Sequence, residues 1–309
     1  MSTSRSLTFS ICLLFAVNNA NGASFNTRVA DGKIEVFGED RPLVTYQLEK
    51  PKDSRVPIES ACYFHPLVTP KGVTITDVAP SDHLHHRGIF FAWVEMHGTK
   101  SADFWGWGEH APKQNRKIVN VGTAISTTES SATFVANNEW RAEDHVMIRE
   151  EVKTIASIRE SANVLRIEYT LTPAEDIKLP QWAFSGFCAR VPKSENLIIS
   201  SPDGTVNLPA PHHMKPDSDW PDKNWYDFSF RSKSGKVAGL AIINHPSNPK
   251  TLWHNIPGIG MINPCIVAPN PIQLRKNVPL KLIYTVVAHD GPAPTTLLNQ
   301  LSSASSKGE

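Results

Sequence analysis

The segment Val164-Leu165-Arg166-Ile167-Glu168-Tyr169-Thr170-Leu171-Thr172 decides the fold class. In an extended chain Leu165, Ile167, Tyr169 and Leu171 share one face, and Arg166, Glu168 and Thr170 share the other. One apolar face and one wet face describe a strand of a stacked antiparallel sheet. Upstream, residues 117–127, 132–140 and 145–158 read as three consecutive strands of the same kind. In the last of these, Arg149, Glu150, Glu151 and Lys153 are expected on the wet face. Downstream, Leu280, Leu282, Tyr284, Val286 and Ala288 alternate most clearly.

The rest of the chain follows suit. Residues 33–37 and 42–48 form a hairpin across the turn Gly38-Glu39-Asp40. Pro66 pushes residues 63–68 to an edge or a bend, and residues 73–76 give a short strand. Residues 89–94 are apolar on both faces, as in a central strand covered on both sides. Further strands are expected at 182–191, 197–199, 225–231 and 237–244, and a short helix at 294–301. No composition shift marks a linker and nothing repeats at a fixed period. The expectation is an all-β protein, one large antiparallel β-sandwich over residues 23–301, ending in a frayed polar tail at 302–309.

Residues 1–22 read as a secretory signal peptide. Arg5 supplies the charge, residues 7–17 the apolar run, and Ala20-Asn21-Gly22-Ala23 the small-residue exit. The mature protein is therefore expected in the periplasm or outside the cell. No later stretch reaches a transmembrane length. Lysine plus arginine (31) nearly balance aspartate plus glutamate (30), which argues against nucleic acid or anionic membrane as a partner. Beyond the leader stand Cys62, Cys188 and Cys265, without a CxxC. They are core residues or a single disulfide with one free thiol.

The chemistry concentrates in Ser81-Asp82-His83-Leu84-His85-His86-Arg87-Gly88. Read as extended chain, His83, His85 and Arg87 point one way, and Asp82 and His86 the other. Two imidazoles on one face can chelate a divalent metal, with His83 and His85 as the pair, or hold a proton donor and acceptor against a substrate. Nearby, Trp105 and Trp107 alternate with glycines ahead of Glu109. Such indoles stack on sugar faces or serve as lids over a core. The long irregular segment 208–227 holds His212, His213 and Trp225, and Trp253-His254-Asn255 offers another cleft rim. His65, His212, His245 and His254 are second-tier candidates. Glu95, Asp103, Glu109 and Glu139 are the candidate carboxylates. No nucleophile elbow, phosphate loop, H-E-x-x-H or dinucleotide fingerprint is present.

The run from Tyr63-Phe64-His65-Pro66 through the histidine cluster to Trp105-Gly106-Trp107 resembles an exported bacterial family labelled "methane oxygenase PmoA". The late pattern, Pro264-Cys265 to Tyr284 with His289-Asp290-Gly291, carries the same resemblance, which covers most of the mature chain. The label implies a copper-binding subunit of a membrane enzyme. This sequence lacks the transmembrane helices such a subunit requires, so the label reads as a misnomer and methane oxidation is not expected. The family is also similar in fold to the galactose-mutarotase-like supersandwich. That likeness implies a sugar pocket on the concave sheet with histidines as acid and base.

Two functions follow as expectations. In one, the protein is a carbohydrate-active enzyme, an epimerase, lyase or hydrolase. His83, His85 and His86 would move protons or ligate metal, Arg87 would hold an oxyanion or carboxylate, and Trp105, Trp107 and Trp225 would stack on sugar rings. Glu109, His213 and His254 complete the expected binding set. In the other, the same residues form a static carbohydrate- or metal-binding pocket.

Overall fold

The computed structural model describes residues 25–107, 115–208, 220–232 and 235–305. Two large antiparallel sheets face each other. The smaller runs in the order Phe25–Ala30, Lys33–Gly38, Arg41–Gln47, Tyr63–Leu67, Ile89–Ala92, Gly186–Arg190 and Met261–Ile262. The larger begins with Gly204–Thr205, Ile198–Ser201, Trp225–Arg231, Val237–Asn244 and Leu280–Asp290. It continues with Ala162–Pro173, His145–Arg159, Ser131–Ala142 and Arg116–Thr127.

The alternation at 164–172 is realised. Leu165, Ile167, Tyr169 and Leu171 are buried, and the intervening residues lie at intermediate exposure. Aromatic rings from both sheets meet in the space between. Tyr46 and Phe64 approach Phe134 at 5.3 and 6.2 Å between ring centroids, and Phe91 lies 4.9 Å from Tyr169. Phe187 stacks on Tyr284 at 4.2 Å. Each such side chain contributes about 2–3 kcal/mol through burial, so this layer is what couples the sheets. The Ile89–Ala92 strand is buried on both faces, as its sequence requires.

Several local expectations change. The strand holding Pro66 is no edge: it lies between Arg41–Gln47 and Ile89–Ala92, and the bend is absorbed by a register shift between Val44 and Tyr46. Residues 73–76 contribute only an isolated bridge between Val68 and Thr74, flanked by backbone bonds from Thr69 N–H to Val73 O and from Ile75 N–H to Leu67 O, each at 2.9 Å. The C-terminal helix runs Thr295–Ser305, so it takes in the start of the expected polar tail, and Ser302 is buried. Its Leu297 and Leu298 cover Trp225, Ala241, Ile243 and Val287 on the outer face of the larger sheet. Cys62, Cys188 and Cys265 are buried free thiols, which favours the core reading over the disulfide.

Glu150 is the clearest departure. The register that turns Ile148, Val152 and Thr154 inward also turns Glu150 inward, where it is 4% exposed. Its carboxylate accepts hydrogen bonds from Asn138 Nδ2 (2.8 Å) and Trp140 Nε1 (3.0 Å). Burial pushes it up to about 7, even though both bonds favour the charged form. It is no part of the wet face.

Candidate functional site

Residues 80–88 are not extended. His83 N–H donates to Pro80 O and His86 N–H to His83 O, each at 3.0 Å, so two turns follow one another. The Pro80-Ser81-Asp82 start suits that geometry. The turns abolish the two-face alternation. Leu84 goes to solvent, while His83, His85 and His86 converge on one pocket. The His83 ring stacks on His86 at 4.9 Å, and His85 meets His86 edge-on at 4.5 Å. Ala79 N–H donates to His86 O at 2.8 Å and closes the loop.

Trp105, Trp107, Phe184, His254, Ile256, Ile259 and Met261 complete the pocket, a cavity of about 220 Å³. These residues come from loops and strand ends next to the smaller sheet. The two tryptophans divide the roles expected of them. Trp105 is fully buried and packs on Phe90 (4.8 Å) and Phe184 (5.6 Å), as a lid over the core does. Trp107 is 55% exposed and lies nearly parallel to His83, with centroids 5.8 Å apart. That leaves one indole open for stacking.

Arg87 does not reach the pocket as an oxyanion holder. It is fully buried, with its guanidinium 4.2 Å from the Phe90 ring centroid. It donates to the carbonyls of His85, Phe104 and Trp105 at 3.2, 3.1 and 3.4 Å. Burial draws it down to about 10, so it stays charged at neutral pH. Its role is to tie the histidine turns to the tryptophan loop. Asp103 finishes that loop: its carboxylate accepts from Gly106 N–H (2.7 Å) and Trp107 N–H (2.9 Å). Gly106 has φ +99°, and a Cβ there would lie 2.7 Å from Ile58 and 3.2 Å from His85 Cβ. Gly88 has φ +63°, and a Cβ would strike Phe64 O at 2.1 Å. Both glycines let the chain pass where no side chain fits.

One residue that sequence reasoning left out sets the state of His86. Arg190, fully buried on the Gly186–Arg190 strand, donates to His86 Nδ1 at 3.3 Å. It also grips both Asp82 oxygens, at 2.7 and 2.8 Å. Partial burial raises Asp82, but the Arg190 bonds outweigh it and hold the carboxyl below its usual range. Burial first, then His85, Arg190, His83 and Arg87, hold His86 well below the ordinary imidazole range. His86 is thus neutral at physiological pH. Because Nδ1 accepts from Arg190, the ring proton resides on Nε2. Arg190 lies more than a hundred positions from His86 in the chain, and nothing local in the sequence joins them.

Among the other expected residues, His254 lines the pocket, packed against Phe184 (5.3 Å) and Trp220 (5.1 Å). Trp225 does not. It is fully buried under the C-terminal helix, where its Nε1 donates to Asn299 Oδ1 at 2.9 Å. Glu109, His212 and His213 lie outside the described residues. His65 bonds Thr76 Oγ1 through Nδ1 at 2.9 Å, and His245 bonds Ser247 Oγ at 2.7 Å. Neither lines the pocket. Glu95 accepts from the Trp182 indole and pairs with His97, and Glu139 pairs with Arg141. His83 and His85, the expected metal pair, stand 5.6 Å apart ring to ring. Among the described residues, no three His, Cys, Asp or Glu side chains are arranged to hold a metal ion. No helix among them is long and apolar enough to cross a membrane.

Fold and site together define an all-β sandwich with a loop-built pocket of imidazoles and indoles against an apolar wall. The chain belongs to the Family of unknown function (DUF6807), whose model matches residues 33–303. A comparison with curated proteins gives no match. Among solved structures, the GH36 alpha-galactosidase AgaB from Geobacillus stearothermophilus gives a TM-score of 0.39 at 8% identity. That match covers 88% of this chain and 40% of the galactosidase. Heparan sulfate lyase HepC from Pedobacter heparinus gives 0.39 at 10% identity, covering 87% of this chain and 36% of the lyase. A galactose mutarotase related enzyme from Lactobacillus acidophilus gives 0.36 at 9% identity, with coverage of 86% and 97%. This chain spans about two fifths of the length of the first two. Nothing in these comparisons bears on the methane-oxygenase label.

Proposed function

We propose that the protein is an exported carbohydrate-processing enzyme that moves protons with the imidazoles of His83, His85 and His86. The observation that carries this reading is His86 held neutral by burial and by Arg190, beside two more imidazoles, in a pocket rimmed by the open Trp107 indole. A neutral imidazole with its proton on Nε2 donates a hydrogen bond to a substrate oxygen without adding charge. The proton acceptor is then His83 or His85. Epimerisation, elimination and hydrolysis all need such a pair of groups around one carbon, and the Trp107 face suits the apolar side of a sugar ring. Export rests on the leader read at residues 1–22.

A static sugar-binding module is the second reading. It is favoured by the fact that the two nearby carboxylates are already engaged, Asp82 with Arg190 and Asp103 with the tryptophan loop. A screen of the mature protein against plant, bacterial and animal oligosaccharides separates the two. We expect turnover that falls about 100-fold or more in His85→Ala and in His86→Ala, with the near-UV circular dichroism of the wild type retained. Binding without turnover would decide for the module. Wild-type function in both variants would remove the cluster from the site.

A further inference from the structure

The loop from Ile256 to Met261 is shaped to present aliphatic side chains to the pocket. Ile256 N–H donates to Met261 O at 2.9 Å and Met261 N–H to Ile256 O at 3.1 Å, so the two residues pair directly across a closed bridge. Between them Pro257–Ile259 make one 3-10 turn, and Gly260 N–H donates to Pro257 O at 3.0 Å. Val191 N–H anchors the loop to the smaller sheet by donating to Gly260 O at 2.8 Å. Directly paired residues put their side chains on one side of the bridge. Ile256 and Met261 accordingly both line the pocket, and Ile259 joins them. Ile256 and Ile259 are only half-buried, so each keeps surface that a ligand can cover.

This corner has no side-chain hydroxyl, amide or charge to offer. A sugar hydroxyl pressed against it would lose water and gain no side-chain partner, whereas a methyl in the same place gains by burial. The other needs of a sugar ring are met elsewhere in the pocket. The imidazoles can bond ring hydroxyls, and the open Trp107 indole suits the C–H face of the ring. What remains for the aliphatic corner is an apolar substituent. An acetamido group also carries a methyl, but its N–H and C=O would need partners of their own. The cavity, about 220 Å³, is smaller than the roughly 300–1,000 Å³ of sites for drug-sized ligands, which suits a single sugar unit.

We infer that the pocket selects a 6-deoxyhexose unit, whose C6 methyl lies against Ile256 and Ile259 while its ring lies along Trp107. This rests on the carbohydrate reading above and narrows it to one class of sugar. It needs no bond to form or break, only recognition.

The test is titration calorimetry of the mature wild-type protein with pairs of methyl glycosides that differ only at C6. The pairs are L-fucoside against L-galactoside, L-rhamnoside against L-mannoside, and 6-deoxy-D-glucoside against D-glucoside, with methyl N-acetylglucosaminide run alongside. The expected result is that at least one deoxy sugar binds about ten-fold or more tightly than its hydroxylated partner, and more tightly than the acetamido sugar. Ile259→Thr, which keeps the branching and supplies a hydroxyl, should erase most of that difference. Equal affinity within every pair, or a preference for the hydroxylated partner or the acetamido sugar, would overturn the deoxy-sugar inference and leave the carbohydrate reading standing. A preference that survives unchanged in folded Ile259→Thr would overturn the inference too, because the methyl would then lie elsewhere. No binding of any of these sugars would overturn both readings. The paired comparison on wild type needs no variant, so a misfolded Ile259→Thr leaves the inference open to refutation.

Discussion

At the scale of the residue, Glu150 shows how burial converts a side chain into a pH sensor. Its carboxyl moves from an ordinary 4.5 to about 7 because the space between the sheets solvates charge poorly. Below pH 4.5 the folded and unfolded chains both hold the proton, and the contribution of Glu150 to stability is at its largest. As pH rises towards 7, the unfolded chain ionises while the folded chain does not, so stability falls; above 7 the loss is complete. The shift corresponds to about 3 kcal/mol. Glu150→Gln keeps an acceptor for the Trp140 indole and cannot ionise. Urea unfolding of wild type and variant at pH 4.5, 6 and 8 should show the wild type losing about 3 kcal/mol that the variant keeps. Parallel pH profiles would mean that Glu150 is not the titrating group.

At the scale of the element, the 103–107 loop matters more than its length suggests. Asp103 caps two of its N–H groups, and Arg87 ties two of its carbonyls to the histidine turns. One guanidinium and one carboxylate therefore set the distance between imidazoles and indoles. Asp103→Ala removes both charge-assisted bonds and is expected to cost on the order of 3 kcal/mol. Quenching of Trp107 fluorescence by iodide should rise in the same variant, because the indole loses its anchor. A variant with wild-type stability and quenching would show that the loop holds itself. How far such features can be read in advance depends on their range. The strands at 131–142, 145–159, 162–173 and 280–290 were legible because period-two alternation is local. The histidine cluster was legible as a cluster, but not as a pair of turns; Pro80 and Asp82 carried that signal and the extended reading passed over it. Glu150 looked like its neighbour Glu151, since only register decides which of the two faces the core. His254 was named as part of a cleft rim and lines the pocket, whereas Arg190 joins the site through tertiary contact, which no spacing records.

At the scale of the whole molecule, cohesion comes from the aromatic layer between the sheets and from no covalent staple. Cys62, Cys188 and Cys265 are all buried and free. Burial protects them twice. It excludes reagents, and it pushes every thiol up, Cys265 to about 12, so that almost no thiolate forms at neutral pH. Because the cysteines sit in both the strands and the loops that the core joins, their protection reports on the sandwich as a unit. The native mature protein should thus give almost no reaction with a thiol-specific reagent at pH 8. In guanidinium chloride it should release three thiols per chain, those of Cys62, Cys188 and Cys265. Its thermal midpoint should not move when a reductant is added. One thiol in denaturant, with a midpoint lowered by reductant, would mean that two of the three cysteines are joined and that part of the stability is covalent. Three thiols that react at different rates in the native state would instead mark where the sandwich opens first, since reaction then follows local unfolding.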